Sequence, residues 1–225
     1  MSLLGSEGGP AEAKRRRVNV GPTPVKAWGS IRERGCRLSN QRSVELTKKQ
    51  IRSKILLRLK NQKEEDRDRK SKIIKNRLFR TLVFKKAKRT MFYIAFGGEV
   101  DTQEMIRDAK KIGKMVVVPV CKKNRISIRP CIFDDNSKLK KGPYGVLEPA
   151  VERPIRLKDL DLVIVPGIAF DGKGKRLGRG KGCYDRFLNR LPEDTPSIGL
   201  AFKFQVLPSI PATTHDVSVK RVIFA

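Results

Sequence analysis

The chain has 225 residues, room for one domain with an appendage or at most two small domains, and 39% of them are hydrophobic, enough for an ordinary core. Its formal net charge of +28 is spread along the chain and implies anionic partners: nucleotide phosphate, nucleic acid or an acidic small molecule. No apolar run is long enough to span a bilayer, no secretory leader is apparent, and Cys36, Cys121, Cys131 and Cys183 form no C-x-x-C pair, so a disulfide framework and a zinc site are not expected and free thiols in a reducing cytoplasm are.

Residues 1–44 are rich in Gly, Pro, Ser and Arg and lack a sustained period, which predicts a disordered, basic extension that includes Lys14-Arg15-Arg16-Arg17. Thr47 is an acceptable N-cap, and Ile51, Ile55, Leu56 and Leu59 recur at helical spacing after it. A second helix is predicted over Glu64 to Phe84, facing inward with Ile73, Ile74, Leu78, Leu82 and Val83. Met91 to Phe96 reads as a buried strand stopped by Gly97-Gly98. A helix with Met105, Ile106 and Ala109 inward follows and ends at Gly113. Met115 to Val120 reads as a second buried strand, and Arg125 to Ile132 as a more exposed one. A turn at Gly142-Pro143-Tyr144-Gly145 precedes Leu147-Glu148-Pro149.

Leu162-Val163-Ile164-Val165 is a further buried strand, ended by Pro166-Gly167. After it comes a basic loop punctuated by Gly172, Gly174, Gly178, Gly180 and Gly182, then the start of a helix at Tyr184 to Leu188. Glycine lets a backbone approach closely, and a strand, glycine-rich loop and helix together aim N–H groups at phosphate. Lys173, Lys175, Arg176, Arg179 and Lys181 add the cations that suit a nucleotide triphosphate. Ser197 to Phe202 and Val217 to Phe224 complete the predicted strands. Strands alternating with helices predict a single three-layer α/β/α domain over residues 45–225, built on a mainly parallel central sheet. In such folds ligands gather at the carboxyl ends of the strands, so the segments after Ile94, Val118 and Val165 are expected to line one cleft.

Val165-Pro-Gly-Ile-Ala-Phe-Asp-Gly-Lys-Gly-Lys-Arg-Leu-Gly-Arg-Gly-Lys-Gly-Cys-Tyr-Asp185 resembles the signature of the 5-formyltetrahydrofolate cyclo-ligase family. Lys48-Lys49-Gln50-Ile51-Arg52, Glu99 to Thr102, Tyr144-Gly145 with Glu148-Pro149, and His215-Asp216 fall in the family's order, so the resemblance covers about Leu46 to Phe224. It implies an ATP- and Mg²⁺-dependent conversion of 5-formyltetrahydrofolate to 5,10-methenyltetrahydrofolate. ADP and phosphate are released through a phosphorylated formyl intermediate. In such a reaction the protein chiefly positions groups and stabilises charge.

The resemblance gives ATP to Lys48 and Arg52, four apart on one helix face, and to Arg176, Leu177, Gly178, Arg179, Gly180, Lys181, Gly182, Cys183 and Tyr184. Arg176, Arg179 and Lys181 would act catalytically by stabilising the transferring phosphoryl group. Ile94, Glu99 and Tyr184 would hold the folate, Glu99 by accepting hydrogen bonds from the pterin N–H edge. Asp185 and Asp216 would hold Mg²⁺, which uses one or two carboxylates beside phosphate oxygens. Asp171 is expected to be structural, and His215, the only histidine, has no assigned role. Cys183 departs from the family pattern, which has tyrosine there, and this touches folate affinity more than ATP binding. The implied partners are a folate, polyglutamylated or not, and a nucleotide; the expected state is a cytoplasmic monomer without membrane contact. The alternative is a basic RNA-associated protein that keeps the fold, drawing on the charge, the arginine-rich extension and Cys183; nucleic-acid contact through the extension is not favoured.

Overall fold

Thr47 caps the first helix as its type predicts: its hydroxyl accepts from the Gln50 N–H while the Gln50 side chain accepts from the Thr47 N–H, a reciprocal capping box. The structure, a computed structural model, describes residues 46–122, 127–142 and 145–225. The expected extension 1–44, Cys36, the start of the strand expected from Arg125, and Pro143-Tyr144 of the expected turn lie outside the described residues.

In chain order the helices are α1 (Lys48–Asn61), α2 (Glu64–Arg80), α3 (Leu82–Lys86), α4 (Gln103–Lys111) and α5 (Cys183–Leu188). The strands are β1 (Arg89–Met91), β2 (Met115–Lys122), β3 (Ser127–Ile132), β4 (Leu139–Lys141), β5 (Leu147–Pro149), β6 (Leu162–Val165), β7 (Ala169–Asp171), β8 (Arg176–Leu177), β9 (Ser197–Ala201), β10 (Val206–Leu207) and β11 (Arg221–Phe224). The central sheet runs β11-β9-β6-β1-β2-β3, parallel throughout except for the antiparallel edge strand β3. Alternation sorts its side chains to two faces. Val116, Val118, Leu162, Ile164, Ile198, Leu200 and Ile223 join a core with Ile51, Ile55, Leu59, Ile74, Leu78, Phe84, Met105 and Ala109 from the first four helices. Met91, Val117, Val163 and Val165 point the other way, to Phe170, Phe187 and Leu188. The α/β architecture with a mostly parallel sheet is therefore as expected, but its second layer is thin, carried by the short α5. Among the described residues no helix is long and apolar enough to cross a membrane.

Several boundaries differ from the sequence reading. The predicted second helix breaks at Thr81, which is extended (φ −69°, ψ 141°) and caps Phe84 with its hydroxyl. The break turns Leu82 outward, to 70% exposure, and buries Phe84 against Phe79 and Phe92. Ile73 and Val83 are also exposed. The strand expected to end at Phe96 leaves the ladder at Met91; Phe92 to Ile94 continue as buried chain, held by Phe92 N–H to Val117 O (2.8 Å) and Tyr93 Oη to Val100 O (3.0 Å). The strand at the C-terminal end pairs only over Arg221–Phe224. A hairpin, β7–β8, intervenes between β6 and α5, so the glycine-rich segment is not a single loop. With β10 the hairpin forms a small second sheet. The Phe170 ring fills the space beside two glycines: a Cβ on Gly167 or Gly199 would lie within 2.5 Å of it.

Candidate active site

Adjacent strands β1 and β6 send their chains in opposite directions, β1 toward β2 and β6 toward β9. Such a switch point leaves a crevice at the carboxyl ends of the two strands. A cavity of about 390 Å³ opens there. Phe96 and Glu99 reach it from the segment after β1, Cys121 from β2, and Pro166 to Ile168 from the turn after β6. The cleft is where the strand order predicts it. Tyr184 and Cys183 close it from α5, and Arg176, Arg179 and Lys181 from the glycine-rich segment. A second cavity, of about 520 Å³, lies on the other side of that segment. Lys48 and Arg52 of α1 line it together with Gly180, Thr214, His215 and Asp216. The two cavities share Gly178, Gly182 and Asp185.

The glycines have conformational work at this wall. Gly180 (φ 101°) and Gly182 (φ 62°) occupy positive-φ conformations that side-chain-bearing residues rarely adopt, and Gly182 is the residue from which α5 starts. Arg52 Nε donates to Gly178 O (2.9 Å), tying α1 to the wall, and Lys48 pairs with Asp216. Asp216 also accepts from Thr213 N–H at 2.6 Å, and the Lys48 ammonium and these donors hold its carboxyl below the usual range despite partial burial. Asp171 accepts from the N–H groups of Lys173 and Lys175, both at 2.9 Å, and so shapes the hairpin turn, the structural role expected of it.

On the apolar side the charges are paired, each pair with one buried member. Arg176, its side chain 3% exposed, places Nη2 2.7 Å from Asp185 Oδ1. Its guanidinium lies 5.6 Å from the Tyr184 ring centre. Arg179 Nη2 lies 3.0 Å from Glu99 Oε1, with its guanidinium 4.1 Å from the Phe96 ring centre. Burial raises the Glu99 carboxyl, and the Arg179 cation and the Phe96 N–H only partly offset that. Burial likewise keeps the Tyr184 hydroxyl protonated, and Tyr184 Oη is buried without a hydrogen-bond partner among the described residues. Burial, with Glu148 and Cys183 nearby, pushes the Cys121 thiol up to about 12, so it is a neutral wall group.

The predicted residues therefore divide. Lys48, Arg52, Leu177, Gly178, Gly180, Gly182, Asp185 and Asp216 gather at the polar cavity. Glu99, Arg176, Arg179, Lys181, Cys183 and Tyr184 gather at the apolar one. Ile94 is 7% exposed within the main core and is not among the residues lining either cavity. Phe96, which its sequence context suits to core packing, instead forms cavity wall beneath Arg179. Cys121, Val146 and Ile128 also line the cavity without having been singled out, and only the strand-order rule pointed toward the first. Glu148, 4% exposed, accepts from Cys121 N–H (2.9 Å) and fixes that wall.

The family model described as the 5-formyltetrahydrofolate cyclo-ligase family matches residues 44–225. The chain belongs to this family. The 5-formyltetrahydrofolate cyclo-ligase of Mus musculus is 30% identical over 193 residues, covering 81% of this chain and 95% of that protein. The solved structure of the 5,10-methenyltetrahydrofolate synthetase of Aquifex aeolicus superposes with a TM-score of 0.71 at 32% identity, over 80% of this chain and 90% of that one. The Mycoplasma pneumoniae 5,10-methenyltetrahydrofolate synthetase, 22% identical with a TM-score of 0.66 over 79% of this chain and 98% of that one, shares the fold. These cyclo-ligase relatives give no support to the RNA-associated alternative.

Proposed function

We propose that the chain converts 5-formyltetrahydrofolate to 5,10-methenyltetrahydrofolate, with ATP consumed to ADP and phosphate. The observation that carries this reading is the pair of cavities sharing a glycine wall at the switch point, the apolar one containing Glu99 and the polar one containing Lys48 and Arg52. The reduced pterin enters the apolar cavity, where the buried Glu99 carboxylate accepts from its N–H edge. The triphosphate lies in the polar cavity, against the N–H groups of the Gly178 to Gly182 segment and the Lys48 and Arg52 cations. Where the two cavities meet at Gly178 and Gly182, the formyl oxygen takes the terminal phosphoryl group and ADP leaves. N10 then bonds to the formyl carbon and gives up its proton to solvent, the C–O bond breaks, and phosphate departs. The two cavities hold the reactants in contact, so positioning does most of the work.

The aspartates suit Mg²⁺. Asp185 and Asp216 line the same cavity, and among the described residues Asp185 Oδ2 and Asp216 Oδ1 have no protein donor. No group of three or more His, Cys, Asp or Glu forms a closed metal site among the described residues, which matches an ion held largely by phosphate oxygens. When bound, Mg²⁺ would neutralise charge on the phosphates. The protein incubated with Mg²⁺-ATP and 5-formyltetrahydrofolate is expected to generate the absorbance of the methenyl product together with ADP. No product at saturating substrates would overturn the reading.

A further inference from the structure

Glu99 and Arg179 stand 80 residues apart in sequence, yet they meet inside the cavity proposed for the pterin. The guanidinium is held on two sides: Nη2 lies 3.0 Å from Glu99 Oε1 and the Phe96 ring centre lies 4.1 Å away, while glycine at 97 leaves room for it, since a Cβ there would stand 3.2 Å from Nη2. Glu99 is 6% exposed, and among the described residues Arg179 is the cation that compensates its charge, while the other carboxylate oxygen has only a long contact, 3.4 Å, from Phe96 N–H. A pterin edge with two donors needs both oxygens of that carboxylate. Arg179 holds one lone-pair site of Oε1 and itself lines the cavity beside Glu99, so the guanidinium and the pterin edge compete for the same space.

We infer that Arg179 is a latch: paired with Glu99 it covers the folate-recognising carboxylate, and an incoming pterin unseats it and frees it for phosphate. The inference rests on the proposed function above. Its chemistry is an exchange of donors. Glu99 trades one guanidinium N–H for pterin N–H groups, so the buried carboxylate is never left alone, an arrangement that would be costly. The freed guanidinium is already on the right backbone: its neighbours Gly178 and Gly180 line the polar cavity, and Gly180, at φ 101°, is a residue at which the chain can change direction. The Arg179 side chain is 38% exposed, so it is not enclosed by the fold. A cation delivered only when folate is present makes the two ligands help each other. By linkage the help is reciprocal.

The test is calorimetric titration of the full chain with the β,γ-imido analogue of ATP and Mg²⁺, with and without saturating 5-formyltetrahydrofolate; the analogue blocks turnover. The expected result is tighter analogue binding, on the order of tenfold, when folate is present, and an equal gain for folate when the analogue is present. In Arg179→Gln the gain should fall to about one, and folate alone should bind at least as tightly as to the parent, because there is no guanidinium to displace. Arg179→Lys, which keeps the charge without the fork, should retain part of the gain. Analogue affinity that ignores folate would overturn the latch. So would weaker binding of folate alone to Arg179→Gln, which would make the guanidinium a standing part of the folate site. If 5-formyltetrahydrofolate does not bind the parent protein at all, the proposed function falls and the latch with it; binding without mutual gain removes the latch alone.

Discussion

Arg176→Met removes a cation from a pair that is nearly dry on one side: the Arg176 side chain is 3% exposed and Asp185 18%, with 2.7 Å between Nη2 and Oδ1. Methionine keeps much of the stem volume, so the loss is mainly electrostatic. A hydrogen bond between charged groups contributes about 1.5–3 kcal/mol, and breaking a buried pair costs about 3–5 kcal/mol. Partial exposure of Asp185 pulls the expectation for Arg176→Met down to about 2–3 kcal/mol. Asp185→Asn should cost at least as much, because it leaves the more buried partner charged and Arg176 Nε already has no acceptor among the described residues. The double variant removes the donor and the charge together, so it should be more stable than the sum of the single losses by about 1–2 kcal/mol. Urea unfolding followed by circular dichroism measures all four proteins. With a slope of about 2 kcal/mol per molar urea, each single change should lower the midpoint by about 1–1.5 M without altering the slope. If the two losses add to within about 0.5 kcal/mol, the pair does not hold the wall between the cavities as described.

Because Asp185 pairs with Arg176 and Asp216 with Lys48, Mg²⁺ alone should leave the melting temperature unchanged, whereas Mg²⁺ with a nucleotide should raise it, as differential scanning fluorimetry would record. Gly98→Ala should destabilise by roughly 3 kcal/mol or more: φ is +83° and the new Cβ would sit 2.4 Å from the Leu59 carbonyl oxygen. Gly113→Ala, at φ +78° but facing open space, should cost only about 1–2 kcal/mol; equal losses by urea midpoint would show that the crowding at Leu59 does not matter. The Glu99 carboxyl is raised by burial, so the stability tied to it is complete below the ordinary carboxylate range and declines as pH rises through its folded value. Glu99→Gln lacks that decline, so its stability relative to the parent should improve as pH rises above the ordinary carboxylate range; a constant or reversed gap in the urea midpoints would contradict the assignment.

What could be read in the residues was local or periodic. Thr47 with Gln50 announces a helix start, and the runs around Val117 and Val163 announce buried strands. From strand order alone came the cleft after β1, β2 and β6. The hairpin between β6 and α5 was not legible, because β7 and β8 are two or three residues long and exist through pairing and through the Phe170 ring seated against Gly167 and Gly199. The break at Thr81 escaped a periodicity argument because the apolar spacing carries on across it, while the threonine hydroxyl stabilises a fresh start. Glu99 with Arg179 and Arg176 with Asp185 were each identified as functional, but as separate groups; the pairing joins distant segments and leaves no trace in one sequence.

The polar cavity draws one side from α1 and the other from the turn at Asp216, residues 168 positions apart joined through Lys48. During synthesis, a nascent chain that has emerged only as far as the glycine-rich segment therefore owns Arg52 and Gly178 but not the far bank of the cavity. On the proposed function, capture of nucleotide would be a late event of biogenesis, and a chain released early would lose it even with the whole signature intact.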